Sequence, residues 1–258
     1  MTPRRWGRLP RTYSPGVPHL SALCAGRAPL PPIPTALDYT SPLPADQGMD
    51  GNDLVGDCTA AACAHAIQVW SRYAGGTEIV IPKSLVLQFY SECTGYDGTP
   101  ATDTGAVIQD VLTRWMNVGF PMPDGTRNRL HGFFEIDPRN VQDTERAIYD
   151  CGAVDVGMNV PAWLEQADPP DVWDNAPGAD ASSVGSHSVI YAGYDQPRGL
   201  LRTVSWGRDY DQTYAFEGAE VDELYALVNP LWVEKTGRTP LGMSLDDVAA
   251  QMSAIRFS

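Results

Sequence analysis

Residues 59–73 read TAAACAHAIQVWSRY, and this stretch limits the fold more than any other. Alanine at this density favours helix, and Gly75-Gly76 closes the segment in the manner of a helix C-terminus. The predicted helix is nearly apolar on every side, so it has no face to give to water and must be wrapped by other elements. The chain has the material for that: its 258 residues are 43% hydrophobic, enough for one large domain or two small ones.

Helical spacing continues through the first half, over residues 82–93, over 103–119 with Asp103 as N-cap, and over 141–150 ending at Gly152. After residue 152 the period falls to two. Residues 153–160, 188–194 and 200–206 alternate like strands, and 214–216 and 224–228 are further strand candidates. Ser244, followed by Asp246 and Asp247, caps a last helix over about residues 244–255. Helices first and strands second predict an α+β fold. Its helical lobe covers about residues 50–150 and its antiparallel, barrel-like β lobe about residues 151–235.

Charge divides the chain differently. The net charge is −14, yet residues 1–37 hold five arginines (Arg4, Arg5, Arg8, Arg11, Arg27) and no acid. Eight of the 22 prolines precede Thr35. Residues 1–32 are therefore predicted to be an extended, basic arm on an acidic body, residues 33–258. The arm is the expected docking element, onto its own acidic surface or onto a neighbouring subunit. The acidic body argues against nucleic-acid partners, and the lack of any run of 18 apolar residues argues against a membrane span. Pro10, Pro15, Pro18 and His19 interrupt any apolar signal-peptide core, so no export signal is expected and the expected location is cytoplasmic, or the virion if the chain is phage-encoded. Five cysteines without a CxxC pair predict neither a zinc site nor a disulfide framework, and no cofactor or metal is expected. The acids after residue 200 (Asp209, Asp211, Glu217, Glu220, Asp222, Glu223) read as a solvated face.

Cys58 stands out among the cysteines. It falls at the first turn of the apolar helix, where the dipole and free N–H groups favour a thiolate, and small residues surround it. Cys63, Cys93 and Cys151 sit inside apolar patterns and read as small buried hydrophobes. His187 opens the hydrophobic strand HSVIYAGY and can serve as base to a thiol placed opposite it. His65 lies seven residues beyond Cys58 on the same helix, roughly 10 Å away at 1.5 Å per residue, too far to pair with it.

With these residues in place, the chain resembles a papain-like (clan CA) cysteine peptidase. Gly56-Asp57-Cys58 stands where that family has Gly-Ser-Cys, His187 to Tyr194 follows its His-x-Val-x-x-x-Gly-Tyr strand, and Ser205-Trp206-Gly207 follows its Ser-Trp-Gly. The 129 residues from Cys58 to His187 are close to the family's separation. The pattern spans about residues 33–235 in order. Gly51-Asn52-Asp53, Thr213 to Phe216 and Asp222-Glu223 are similar to papain-like proteins encoded by phages, prophages and bacteria.

The resemblance implies a two-lobe fold and a thiol hydrolase acting on peptide or amide bonds of a peptide or protein substrate. Cys58 would be the nucleophile and His187 the general base and acid, with Asn52 beside the Cys58 amide as the oxyanion hole. Gly56, Asp57, Gly105, Ser186 and Trp206 would line the cleft. The alternative is a structural virion or assembly subunit on the same fold, its arm tying neighbours together; a transglutaminase-like or deamidating activity would use the same Cys–His pair.

This sequence departs from the family at several points. Asn52 replaces the oxyanion-hole Gln, with Gln47 as the other candidate. Val204 stands in place of the Asn that orients the imidazole and cannot accept its N–H, so another group orients His187, a dyad works alone, or catalysis is weak or lost. Thirty-two residues are short for the family's inhibitory propeptide.

Overall fold

The computed structural model describes residues 5–11, 16–24, 30–165, 169–175 and 182–253. Arg4, Pro15, Arg27, Asp168 and Ile255 lie outside the described residues. Eight helices are found among them: α1 (Leu20–Cys24), α2 (Cys58–Tyr73), α3 (Lys83–Thr94), α4 (Ile108–Asn117), α5 (Val141–Cys151), α6 (Tyr214–Glu220), α7 (Pro230–Thr236) and α8 (Leu245–Met252). The strands are β1 (Ala36–Asp38), β2 (Phe120–Pro121), β3 (Arg127–Asn128), β4 (Gly132–Ile136), β5 (Val154–Pro161), β6 (Val172–Trp173), β7 (Ser183–Asp195), β8 (Leu200–Ser205), β9 (Arg208–Thr213) and β10 (Val221–Val228).

The apolar helix is α2, and residues 58–71 of it are all buried. It packs against α3, α7 and the central strand β7. Trp70 of α2 and Trp232 of α7 each donate an indole N–H to the end of α5, at Cys151 O (2.8 Å) and Asp150 O (2.7 Å). Two fully buried rings thus satisfy carbonyls that a helix C-terminus leaves open.

The sheet runs β4-β10-β5-β7-β8-β9-β6, with β1 added on β7. It is antiparallel except for the β6–β9 pair, and it stays open; the barrel-like closure expected of the β lobe does not form. The α+β class stands, with helices and a sheet sharing one core.

Several local expectations are corrected. Residues 214–216 begin α6 rather than a strand, because the Thr213 hydroxyl accepts from Phe216 N–H and starts a helix there. Helix α4 begins at Ile108, since the Asp103 carboxylate is turned to Gly56 N–H (3.0 Å) and Tyr90 O–H (2.9 Å) instead of capping it. The arm contains the short helix α1, whose Leu20 reaches the core. The acids after residue 200 are not all solvated: Glu217 and Glu223 are fully buried. Helix α8 is capped by Ser244 as expected, in a reciprocal box with Asp247.

Candidate active site

Cys58 opens α2, following Asp57, whose backbone carbonyl accepts from the N–H groups of Ala60 and Ala61. His187 lies on β7, against which α2 packs. The two side chains line one small cavity together with Met49, Asn52, Ser205 and Trp206, with room for about one water. His187 Nε2 is 2.9 Å from Ser205 Oγ, and its ring stacks on Trp206 with centroids 4.9 Å apart and planes 15° apart. When Nε2 carries the proton it donates to that hydroxyl, which leaves Nδ1 as the basic nitrogen. Ser205 therefore takes the orienting position that Val204 cannot fill. Trp206 reaches its place through a left-handed backbone (φ 49°), and the adjacent Gly207 lets the chain pass against Gly48, where a Cβ would lie 2.8 Å from the Gly48 carbonyl carbon.

The arm crosses this site. Arg5 N–H donates to Asn52 O (3.1 Å) and Asn52 Nδ2 donates back to Arg5 O (3.2 Å). Gly7 O accepts from Ala106 N–H and Leu9 N–H donates to Ala106 O, both at 2.8 Å, while Arg8 N–H reaches Ser186 O at 3.4 Å. Trp6 sets its ring edge-on to both His187 and Trp206, at 5.6 and 5.7 Å, in space left open by Gly185. Gly7 passes so close to the nucleophile turn that a Cβ on it would lie 1.7 Å from Gly56 O. A Cβ on Gly105 would lie 2.3 Å from Gly7 O. Both positions require glycine for close backbone approach.

The thiol responds to this cover. Burial pushes the Cys58 thiol up to about 12, against the pull of the Ser188 and Gly7 amides. The Gly7 group that faces the sulfur is thus its N–H, while its carbonyl is held by Ala106.

The cleft residues proposed from sequence fall into two groups. Gly56, Gly105, Ser186 and Trp206 all touch the arm. Asp57 is buried, next to Asn52 and near Asp50 and Asp103, and burial pushes its carboxyl up to about 8. It does not line the cavity shared by Cys58 and His187. Asn52 lines the cavity, with its amide on Arg5 O and Val55 O. Gln47 is directed away, donating to Asp209 at 2.7 Å. His65 bonds Gly48 O at 3.0 Å, and Cys63 donates to Thr59 O. Wider hollows beside Asp38 and Arg202, and beside Arg129 and His131, are lined by no cysteine. Among the described residues no three His, Cys, Asp or Glu gather as a metal site, and no helix is long and apolar enough to cross a membrane.

Sequence reasoning passed over Ser205, although it had been matched within Ser-Trp-Gly, and the arm residues Trp6, Gly7 and Arg8. The signal for Ser205 was available: a hydroxyl beside Trp206 is the nearest polar replacement when residue 204 is apolar.

An eight-stranded sheet flanking a buried helix that begins at a cysteine, with a histidine on the adjoining strand, decides the architecture. The fold is that of the papain-like cysteine proteases. Xylellain, a cysteine protease from Xylella fastidiosa, superposes with a TM-score of 0.66 at 16% identity over 88% of this chain and 98% of its own. The procathepsin B S9 of Trypanosoma congolense gives 0.61 at 13% identity over 88% and 87%. The Carica candamarcensis protease CMS1MS2, in complex with E-64, gives 0.53 at 13% over 76% and 99%. No protein-family model and no curated protein matches the chain. In this papain-like fold α2 packs against β7, which is why residues 129 positions apart share one cavity.

Proposed function

We propose that the protein is a papain-like thiol hydrolase acting on peptide or amide bonds, with Cys58 as nucleophile and His187 as general base and then acid. The observation that carries this reading is the cavity shared by Cys58 and His187, with the imidazole fixed by Ser205 and Trp206. In the reaction the Cys58 proton passes to His187, the sulfur attacks the carbonyl carbon, and the imidazolium returns the proton to the leaving amine. Water then hydrolyses the thioester. The oxyanion is stabilised by the Cys58 amide and the Asn52 side chain, whose amide already donates to a chain carbonyl in the docked arm. Ser205 orients the imidazole and Trp206 shields it.

The described conformation is the closed one, so substrate entry requires residues 5–9 to leave the cleft. The resemblance of Gly51-Asn52-Asp53, Thr213 to Phe216 and Asp222-Glu223 to phage-encoded papain-like proteins supports a phage-related setting, with assembly of virions as the alternative role. Seating of residues 5–11 on their own body favours the hydrolase, because that segment is the one an assembly subunit would lend to its neighbour. Hydrolysis of a fluorogenic peptide mixture, lost in Cys58→Ala and in His187→Ala, tests the assignment; equal turnover by Cys58→Ala and wild type refutes it.

A further inference from the structure

The arm's Arg8 is buried in a pocket that the catalytic reading leaves unused. Its side chain is fully buried, with Nε 2.7 Å from Glu223 Oε1 and Nη2 2.5 Å from Asp222 Oδ1. Glu223 is fully buried and held from behind by Tyr225 O–H at 2.8 Å. Gly157 forms the wall between them: a Cβ there would lie 2.6 Å from Arg8 Nε and 2.4 Å from Glu223 Cγ. A third carboxylate, Asp155, is buried alongside, with Oδ1 on Ser188 and Oδ2 without a hydrogen-bond partner among the described residues. Glu223, Gly157 and Ser188 are in register across β10, β5 and β7, so the pocket lies one residue from His187.

Two charge arguments follow. A buried carboxylate left without a cation is strongly unfavourable, and here two fully buried carboxylates and a half-exposed one converge on one space. Gly157 leaves the room that the guanidinium occupies, and separate Nε and Nη2 donors reach two different carboxylates, which suits a guanidinium rather than a point charge. The segment that fills it meets the cleft backbone on both sides, at Ala106 and Ser186, and its preceding residue sits on Cys58.

We infer that the Asp155–Asp222–Glu223 pocket is the specificity pocket of this site, selecting peptides that carry an arginine within one residue of the reacting carbonyl, and that Arg8 of the arm holds it as a stand-in for such a substrate. The inference rests on the hydrolase reading for its purpose, but its pocket can be tested without chemistry. Glu223 is the principal selecting group, Asp222 the rim partner, and Gly157 the residue that keeps the pocket open. Arm and arginine substrate compete for the same carboxylates, so the two states exclude each other.

The test is peptide binding by the full-length chain carrying Gly7→Leu and Arg8→Ala, to lift the arm, and Cys58→Ala, to prevent turnover. Fluorescent heptapeptides differing at one position, arginine against the uncharged isostere citrulline, are titrated by polarisation. Arginine is expected to bind at least about tenfold more tightly. Glu223→Gln should bring the two within about twofold of each other. Asp222→Asn, at a half-exposed position that tolerates the change, should reduce the preference about threefold and guards against misfolding of the Glu223 variant. Equal affinities for arginine and citrulline peptides, including no binding of either at 1 mM, overturn the inference, as does a preference undiminished in both carboxylate variants. Because the sulfur is absent throughout, these outcomes are independent of whether Cys58 hydrolyses anything.

Discussion

Replacing Gly7 with alanine should open the active site, and the effect can be sized from the contact itself. The new Cβ would lie 1.7 Å from Gly56 O and 2.2 Å from the Gly56 carbonyl carbon. Non-bonded carbon and oxygen need more than 3 Å, so the backbone must retreat by roughly 1.5 Å. The 2.8 Å bond from Ala106 N–H to Gly7 O cannot survive that shift, nor can the adjoining 2.8 Å bond from Leu9 N–H to Ala106 O. Once residues 5–9 lift, Cys58 regains solvent and its thiol falls from about 12 towards the ordinary value near 8.5. At pH 8 this changes the thiolate from about one molecule in 10⁴ to about one in four, a rise of about 10³-fold. The assay is iodoacetamide labelling at pH 8, mapped by peptide mass spectrometry so that Cys58 is counted apart from the half-exposed Cys93. At least a tenfold faster labelling of Cys58 is expected, with an unchanged far-ultraviolet circular dichroism spectrum. Labelling of Cys58 at the wild-type rate by a folded Gly7→Ala protein would refute the claim that the arm guards the thiol.

Other outcomes follow from the same contacts. Ser205→Ala should lower kcat about 10- to 100-fold with a smaller change in KM, since it removes the 2.9 Å partner of His187 Nε2; steady-state kinetics on an arm-lifted chain would read it. Glu217→Gln should stabilise the protein more at pH 8 than at pH 5. Burial pushes the Glu217 carboxyl up to about 8, so the folded state holds a proton that the unfolded chain has released, and stability falls as pH rises from about 4.5 to about 8; thermal melts at the two pH values check the difference. Glu92 works in the opposite sense. Its bonds to Arg127 hold it down at about 2, giving stabilisation that is present above about pH 4.5 and disappears as the pH drops towards 2; it is partly exposed, so Glu92→Gln should cost less than about 1 kcal/mol at neutral pH by urea denaturation. Gly152→Ala should destabilise by about 2 kcal/mol or more, because residue 152 has φ 76° and its Cβ would lie 2.6 Å from the Trp232 ring.

Much of this protein was legible as local pattern. An all-apolar alanine helix demanded burial, and α2 is buried along residues 58–71. Alternation marked β5, β7 and β8 to within a few residues, and Ser244 with Asp247 marked the start of α8. Local pattern failed where a side chain had a stronger distant partner than its near one. Asp103 looked like a cap and instead binds Gly56 and Tyr90; Glu217 and Glu223 looked solvated and are buried. Thr213 shows the reverse case, a local cap that outweighed the β tendency of Tyr-Ala-Phe.

The sequence by itself determined the helix that needs burial, the strand alternation and the polarity of the arm, because periodicity and charge are properties of neighbours along the chain. Only the tertiary structure decided that Cys58 and His187 share a cavity, that Ser205 holds the imidazole where Val204 cannot, and that the arm's arginine lies against acids more than 200 residues away. Those pairings depend on how β7 and β10 flank β5 and on how α2 packs against β7. Burial is what makes them matter: one guanidinium paired with a buried and a half-exposed carboxylate, and one thiol beneath a glycine, sit in a desolvated setting that exists only once the chain has folded.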